Sequence, residues 1–204
     1  MNQLIIASGS KYRHQRLKDA GLNFSYISPD IDETPLRNES PDILSSRLAK
    51  TKAEKIAERL DTGIVFGSDQ VASVTIEKKP ILLGKPLSFE NAKRQLMQCS
   101  GNSVIFHTAL HLIDVSNNQS ISEINTVEVK FRKLGEQDIE NYLRIDEPFD
   151  CAGSFKMEKA GILLFESITS TDPNALIGMP MIALTNCLEK IGYSILDFTQ
   201  HSPF

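Results

Sequence analysis

Leu4-Ile5-Ile6-Ala7-Ser8-Gly9-Ser10-Lys11-Tyr12-Arg13 carries an apolar run into a turn of small, hydroxyl-bearing residues and then into an arginine. A short apolar run ended by small residues reads as a buried strand, here residues 3–7. Residues 13–20 follow as a helix, with Leu17 and Ala20 on one face and Gly21 as its stop. Strand, small-residue turn and helix in that order set the chain in the α/β class. The same order gathers hydroxyls, free backbone N–H groups and a guanidinium at a helix start, which suits a polyanion. Many α/β proteins open this way, so the chemistry depends on two later segments. Gly67-Ser68-Asp69-Gln70 adds a carboxylate, and Gly84-Lys85-Pro86 adds an ammonium held in a turn.

Residues 24–28 form a second candidate strand, and 29–38, rich in proline and acidic residues, a loop. Ser40-Pro41 marks a helix start, with serine as N-cap and proline at the first position. Leu44, Leu48, Lys52 and Ile56 then recur at four-residue spacing beside Ala49, Ala53 and Ala57, which puts a lysine in an apolar row. Residues 63–68 read as a buried strand and 71–76 as a partner across the turn Glu77-Lys78-Lys79-Pro80. Ser88 caps a helix that reaches Cys99 and is stopped by Gly101. Residues 102–114 have strand composition, and 126–132 alternate cleanly, so one face of that strand meets water. A helix over 135–144, a strand over 161–168 and a last helix over 181–190 complete the order. Parallel crossovers mixed with hairpins predict a mixed, strongly bent sheet flanked by helices.

At 204 residues and 22.7 kDa the chain suits one α/β domain, or two small lobes sharing a core. No repeat, low-complexity tract or linker divides it, so a single domain over 1–204 is expected. The net charge of −4 argues against broad nucleic-acid binding, which favours a basic face. A nucleotide is still within reach of a few cations concentrated in one cleft. Cys99, Cys151 and Cys187 are odd in number and far apart, with no Cys or His close by in the sequence. They point to a reducing compartment, not to zinc or a disulfide framework. No basic leader precedes a long apolar run, and no apolar stretch approaches the ~20 residues of a membrane span. A soluble, cytoplasmic protein with no membrane partner is expected.

Asp69, at the end of a buried strand, is placed either to cap a turn or to hold a divalent metal and orient water. Glu33, in Asp30-Ile31-Asp32-Glu33-Thr34, is either a solvated loop acid or a second site carboxylate. Lys52 either lays its stem on the core edge with its ammonium in solvent or serves a site. Lys85 is either a surface turn residue or a phosphate ligand. His107 and His111 have helical spacing but lie in a strand pattern, and His14 and His201 stand apart, so no histidine cluster competes. Taken jointly, strand-terminal hydroxyls, the cations Arg13, Lys52 and Lys85, and two carboxylates are what triphosphate cleavage with magnesium requires. Gly-x-x-x-x-Gly-Lys-Ser/Thr is absent, so the chain is not a P-loop protein.

These segments resemble the Maf family of nucleoside triphosphate pyrophosphatases. The matching residues run from Ala7-Ser8-Gly9-Ser10-Lys11-Tyr12-Arg13 and Pro29-Asp30-Ile31-Asp32-Glu33-Thr34-Pro35 to Ile177-Gly178-Met179-Pro180. Between them lie Glu39-Ser40-Pro41, Arg47-Leu48-Ala49, Lys52-Ala53, Gly67-Ser68-Asp69-Gln70-Val71, Gly84-Lys85-Pro86, Ser100-Gly101, Val129-Lys130-Phe131-Arg132 and Ala152-Gly153-Ser154-Phe155-Lys156. The resemblance implies an α/β fold with two lobes around a nucleotide cleft, usually a homodimer. It also implies cleavage of a nucleoside triphosphate to monophosphate and pyrophosphate with a divalent cation, Mg2+ or Mn2+. By resemblance Asp69 accepts the proton of the attacking water and Glu33 assists at the metal, both being metal ligands. Ser8, Ser10, Arg13, Lys52 and Lys85 would hold the triphosphate.

Within the family the pattern looks most like the branch acting on 7-methyl-GTP. The residues that carry this are Gly67-Ser68-Asp69-Gln70 and Cys151-Ala152-Gly153-Ser154-Phe155-Lys156, with Glu158 following. Tyr12, Gln70 and Glu158 are then the expected specificity residues. A flat cationic base is favoured by an aromatic face and a carboxylate at its edge. The pattern departs at Tyr12, where this branch often has tryptophan, and at His14, where a second arginine is common. Two alternatives remain open: the sister branch that cleaves dTTP and UTP, and a nucleotide-dependent regulator of cell division that inhibits septum formation.

Overall fold

The computed structural model describes residues 3–199, so His201 lies outside the described residues. Among the described residues the elements run β1 (Leu4–Ile6), α1 (Lys11–Asp19), β2 (Ser25–Tyr26), α2 (Pro41–Ala57), β3 (Ile64–Ile76) and β4 (Lys79–Leu82). Then come α3 (Phe89–Cys99), β5 (Ser103–Asp114), β6 (Gln119–Phe131), α4 (Glu136–Asp146), β7 (Phe165–Thr169) and α5 (Met181–Lys190). Short 3-10 turns occupy Ala152–Ser154, Ala160–Leu164, Pro173–Ile177 and Ile195–Phe198. The strands make one seven-stranded mixed sheet in the order β2-β1-β3-β5-β6-β7, with β4 beside β3. Among the described residues no helix is long and apolar enough to cross a membrane.

β1, β2 and β3 are parallel, joined by crossovers through α1 and α2, and the remaining pairings are antiparallel. β3 is the axis. One edge pairs with β5 continuously from Ile64 to Val74. The other edge takes β1 at Ile64–Phe66 and β4 only from Ser73 onward. β1 and β4 therefore part along that edge, and the gap falls at Gly67-Ser68-Asp69-Gln70. The apolar packing divides at the same level. Leu4, Ile6, Phe66, Leu110 and Leu112 join one buried cluster, and Val74, Phe106, Val127 and Phe131 another. Polar residues thus form the waist of strands whose two ends are each buried.

The local signals explain most elements. Leu17 is fully buried on α1, and Gly21 closes it at φ +72°. Ala20, expected beside Leu17, is exposed because it is already the C-cap. Ser40 precedes Pro41 at the start of α2 in extended geometry, although its hydroxyl makes no capping bond. Ser88 does cap α3, accepting the Asn91 N–H at 3.3 Å. Val127, Val129 and Phe131 point inward while Glu128, Lys130 and Arg132 face solvent.

Three expectations are corrected. Residues 63–68 and 71–76 are parts of one strand, because the side chains at the waist alternate without breaking the β5 ladder. The hairpin turn that follows is only Glu77-Lys78, both at positive φ, and Lys79-Pro80 begin β4. Proline is tolerated there because β4 is an edge strand. The third concerns 161–168, which is strand only from Phe165. A Cβ on Gly161 would lie 2.4 Å from the Lys156 carbonyl oxygen, so the chain is folded tightly on itself and turns as Ala160–Leu164. Ile162 and Leu163 of that apolar run face water.

Candidate active site

Alternation along β3 decides what faces what. Gly67, Asp69 and Val71 share the face turned to α2, and Ser68 and Gln70 the opposite one. The α2 stripe lies directly over the first face: Leu44, Leu48, Ala49, Lys52, Ala53 and Ile56 are all buried. Lys52 is the polar member of that stripe, its side chain 7% exposed. Its ammonium donates to Asp69 Oδ1 at 2.5 Å and to Glu33 Oε1 at 2.7 Å. A solvated lysine is thereby ruled out, and Asp69 caps no turn. Glu33 is the more open partner, its side chain 59% exposed.

The environment separates the two acids. Burial pushes the Asp69 carboxyl above the usual carboxylate range, and the charges of Lys52 and Arg13 only partly offset it. Burial also acts to raise Glu33, but the Lys52 hydrogen bond, with Arg13 and Lys85, brings it below its ordinary value. Two carboxylates on one ammonium are thus shifted in opposite directions, a pattern found at functional sites and also in structural ion-pair networks.

The opposite face of β3 holds a loop in place. Gln70 Nε2 lies 2.7 Å from the Ala175 carbonyl and 3.1 Å from that of Leu176, and Thr108 Oγ1 donates to Ala175 at 2.8 Å. Ser68 Oγ donates to the Gly178 carbonyl at 3.1 Å, and Arg13 Nε to the same oxygen at 2.8 Å. Arg13 Nη1 also donates to Ser8 Oγ at 3.1 Å, which accepts the Ser10 N–H at 3.2 Å. The start of α1 is thereby tied to the loop through Arg13. Buried Asp172 secures the loop's ends, accepting N–H groups from Asn174 and, at the start of α5, Ile182.

A cleft of about 780 Å³ opens at this waist. The residues expected from sequence all border it: Ser8, Ser10, Tyr12, Arg13, Glu33, Lys52, Asp69, Gln70, Lys85 and Glu158. They are not equally engaged. Lys85 and Glu158 are exposed on the rim, and Gln70 has its amide N–H groups committed to the loop. Tyr12 donates its hydroxyl to the carboxylate of Asp150, at 3.0 and 3.1 Å to the two oxygens. Cys151, which also borders the cleft, is pushed up to about 11 by burial and stays a thiol at neutral pH. Of residues 152–156, Ala152 and Phe155 line the cleft directly. Gly153 and Ser154 have positive φ, Phe155 packs among Phe106, Phe131 and Phe165, and Lys156 Nζ caps the Asp146 carbonyl at 3.0 Å.

Sequence reasoning missed the parts played by four residues. Asp150 and Asp172 lie at positions to which the sequence assigns no element or role, and nothing local announces their partners. Arg47 and Glu39 were visible only as parts of motifs. They pair at 2.6 and 2.8 Å beside the loop of Glu33, a contact eight residues long that helix periodicity does not supply.

Comparison with known proteins places these features. The Maf-like protein family matches residues 3–191. A protein of Nitrosococcus oceani named 7-methyl-GTP pyrophosphatase is 44% identical over 193 residues, 95% of each chain. Proteins of the same name from Aliivibrio fischeri and Idiomarina loihiensis are 44% and 43% identical, covering 96% and 95% of this chain and 99% and 97% of theirs. With its family match over nearly the whole described length and relatives of this identity, the chain belongs to the Maf family.

Proposed function

We propose that this chain, acting as one domain, hydrolyses 7-methyl-GTP to 7-methyl-GMP and pyrophosphate. The observation that carries the reading is the Asp69–Lys52–Glu33 chain of contacts in a cleft bordered by the start of a helix. The relatives named 7-methyl-GTP pyrophosphatase support the substrate.

The triphosphate is bound with its oxygens toward Ser8, Ser10, Arg13, Lys52 and Lys85. The N–H groups at the start of α1 and the two lysines together favour negative charge there. Asp69 Oδ1 is held by Lys52, which fixes the plane of the carboxylate and leaves Oδ2 to take a proton from water. Its raised proton affinity makes it a better base than a solvated aspartate once it is ionised. Arg13 and Lys85 offset charge on the departing pyrophosphate.

Among the described residues no group of three or more His, Cys, Asp or Glu is placed to hold a metal ion. Two carboxylates converging on one ammonium nonetheless fit Mg2+, which is commonly bound by one or two carboxylates with substrate phosphates and water. Glu33 and Asp69 would hold it, and when bound it would neutralise phosphate charge. At the base end, Tyr12 offers its ring and Glu158 its charge to the cationic purine. The cytoplasm and a homodimer complete the proposal.

The test is pyrophosphate release by the purified protein with 7-methyl-GTP, GTP, dTTP and UTP. The expected result is the highest kcat/KM for 7-methyl-GTP. Preference for dTTP and UTP would assign the sister activity, and no release from any substrate would favour a nucleotide-binding regulator.

A further inference from the structure

Two motifs, Glu39-Ser40-Pro41 and Arg47-Leu48-Ala49, hold residues with no part in the chemistry above. The loop before them carries Glu33 with little apolar anchorage. Ile31 packs partly against Leu44, Leu48 and Val71, but Leu36 is 60% exposed. What fixes the loop is polar. Glu39, its side chain only 4% exposed, accepts the Leu36 N–H at 2.9 Å and receives the Arg47 fork, Nε at 2.6 Å and Nη2 at 2.8 Å. The same Nη2 donates to the Thr34 carbonyl at 3.1 Å. Thr34 adjoins Glu33, and its own N–H is held by Asp32 Oδ1 at 2.9 Å. Arg47 and Lys52 belong to one helix, so α2 grips the backbone beside Glu33 with one residue and its carboxylate with another.

We propose that Arg47 and Glu39 are positioning residues, a clamp that sets the Glu33 carboxylate for the divalent cation and the triphosphate. The inference rests on the role given to Glu33 above. A carboxylate on an exposed loop acts only when held near its working geometry, and displacement of about 1 Å is enough to cost most of its effect. Lysine at position 47 keeps the charge but has no planar fork to hold Glu39 and the Thr34 carbonyl together.

The test uses Glu33→Gln, Arg47→Met, Arg47→Lys, Glu39→Gln and the Glu33→Gln/Arg47→Met double variant. Mn2+ binding is read from the electron paramagnetic resonance of free Mn2+ in the presence of α,β-methylene GTP, beside the metal dependence of turnover. Arg47→Met is expected to weaken Mn2+ binding several-fold, in the same direction as Glu33→Gln. The double variant should bind no worse than Glu33→Gln alone, and Arg47→Lys should be intermediate. Thermal melting identifies folded variants. If Arg47→Met does not fold, Glu39→Gln and Arg47→Lys carry the same comparison. Unchanged Mn2+ affinity in the folded clamp variants, with Glu33→Gln impaired, overturns the clamp alone, as does an additive loss in the double variant. Unchanged affinity in Glu33→Gln overturns the role of Glu33 and the clamp with it.

Discussion

Gly67 and Ala49 meet backbone to backbone: a methyl group on Gly67 would lie 2.3 Å from the Ala49 carbonyl oxygen and 2.9 Å from the Ala53 nitrogen. That closeness seats α2 on β3 so that Lys52, one turn along, reaches Asp69. Gly67→Ala must push the helix outward, and forcing one extra carbon into a packed contact typically costs about 1–3 kcal/mol. The expected outcome is a lower denaturation midpoint together with reduced turnover. A variant that kept both would show that α2 has room to spare.

Asp69→Asn should lower turnover by about 10²–10⁴ while nucleotide binding stays within a few-fold, because the amide keeps the shape but accepts no proton. Single-turnover rates and equilibrium binding of 7-methyl-GTP check the two halves separately. Near-normal turnover at saturating substrate would remove Asp69 from the role of base.

The pH dependence has a defined sign. Burial raises the proton affinity of Asp69, so the acid limb of kcat/KM should lie above the ordinary aspartate value of about 3.9. Lys52 opposes that rise, so Lys52→Met should move the limb to still higher pH as well as weaken triphosphate binding. A limb that stays in place in Lys52→Met would show that Asp69 does not set it.

Glu39 gives a stability prediction. The Arg47 hydrogen bond holds its carboxyl at about 2, below the ordinary 4.5, so the charged form is favoured by the fold. A depressed acid contributes stability that is full above its unfolded value and lost as pH falls through the folded one. The denaturation midpoints of wild type and Glu39→Gln should therefore differ at pH 7 and converge between about 4.5 and 2. A gap independent of pH would deny the charge its part.

Glu158→Gln should reduce the preference for 7-methyl-GTP over GTP, by roughly tenfold if the carboxylate contributes about 1–3 kcal/mol toward the cationic base. Ratios of kcat/KM for the two substrates provide the measurement. An unchanged ratio would leave Glu158 as a rim charge without a part in base choice.

Legibility from sequence followed the range of the interactions. Residues 181–190 were bounded correctly because proline and a lysine-ended apolar pattern mark both ends locally. The lysine in the α2 stripe was conspicuous since one polar residue interrupted an apolar period. The 161–168 strand was misplaced because its apolar run is bent by the Gly161–Lys156 backbone contact, which composition does not encode. The length of β3 was missed for a related reason: Ser68-Asp69-Gln70 looks like a turn, and only pairing with β5 keeps it extended. Asp150 and Asp172 act on residues 138 and 10 positions away, so no window of sequence joins them to their targets.

The unbroken β3–β5–β6 ladder has a kinetic meaning. To hinge the two ends of the molecule toward each other, adjoining hydrogen bonds in three strands would have to yield together, which is a high barrier for a routine motion. Substrate therefore meets a floor that is already built, and little ordering entropy is spent on it at binding. The flanking segments around Glu33 and Tyr12–Asp150 are held differently, by single side-chain contacts and not by a ladder.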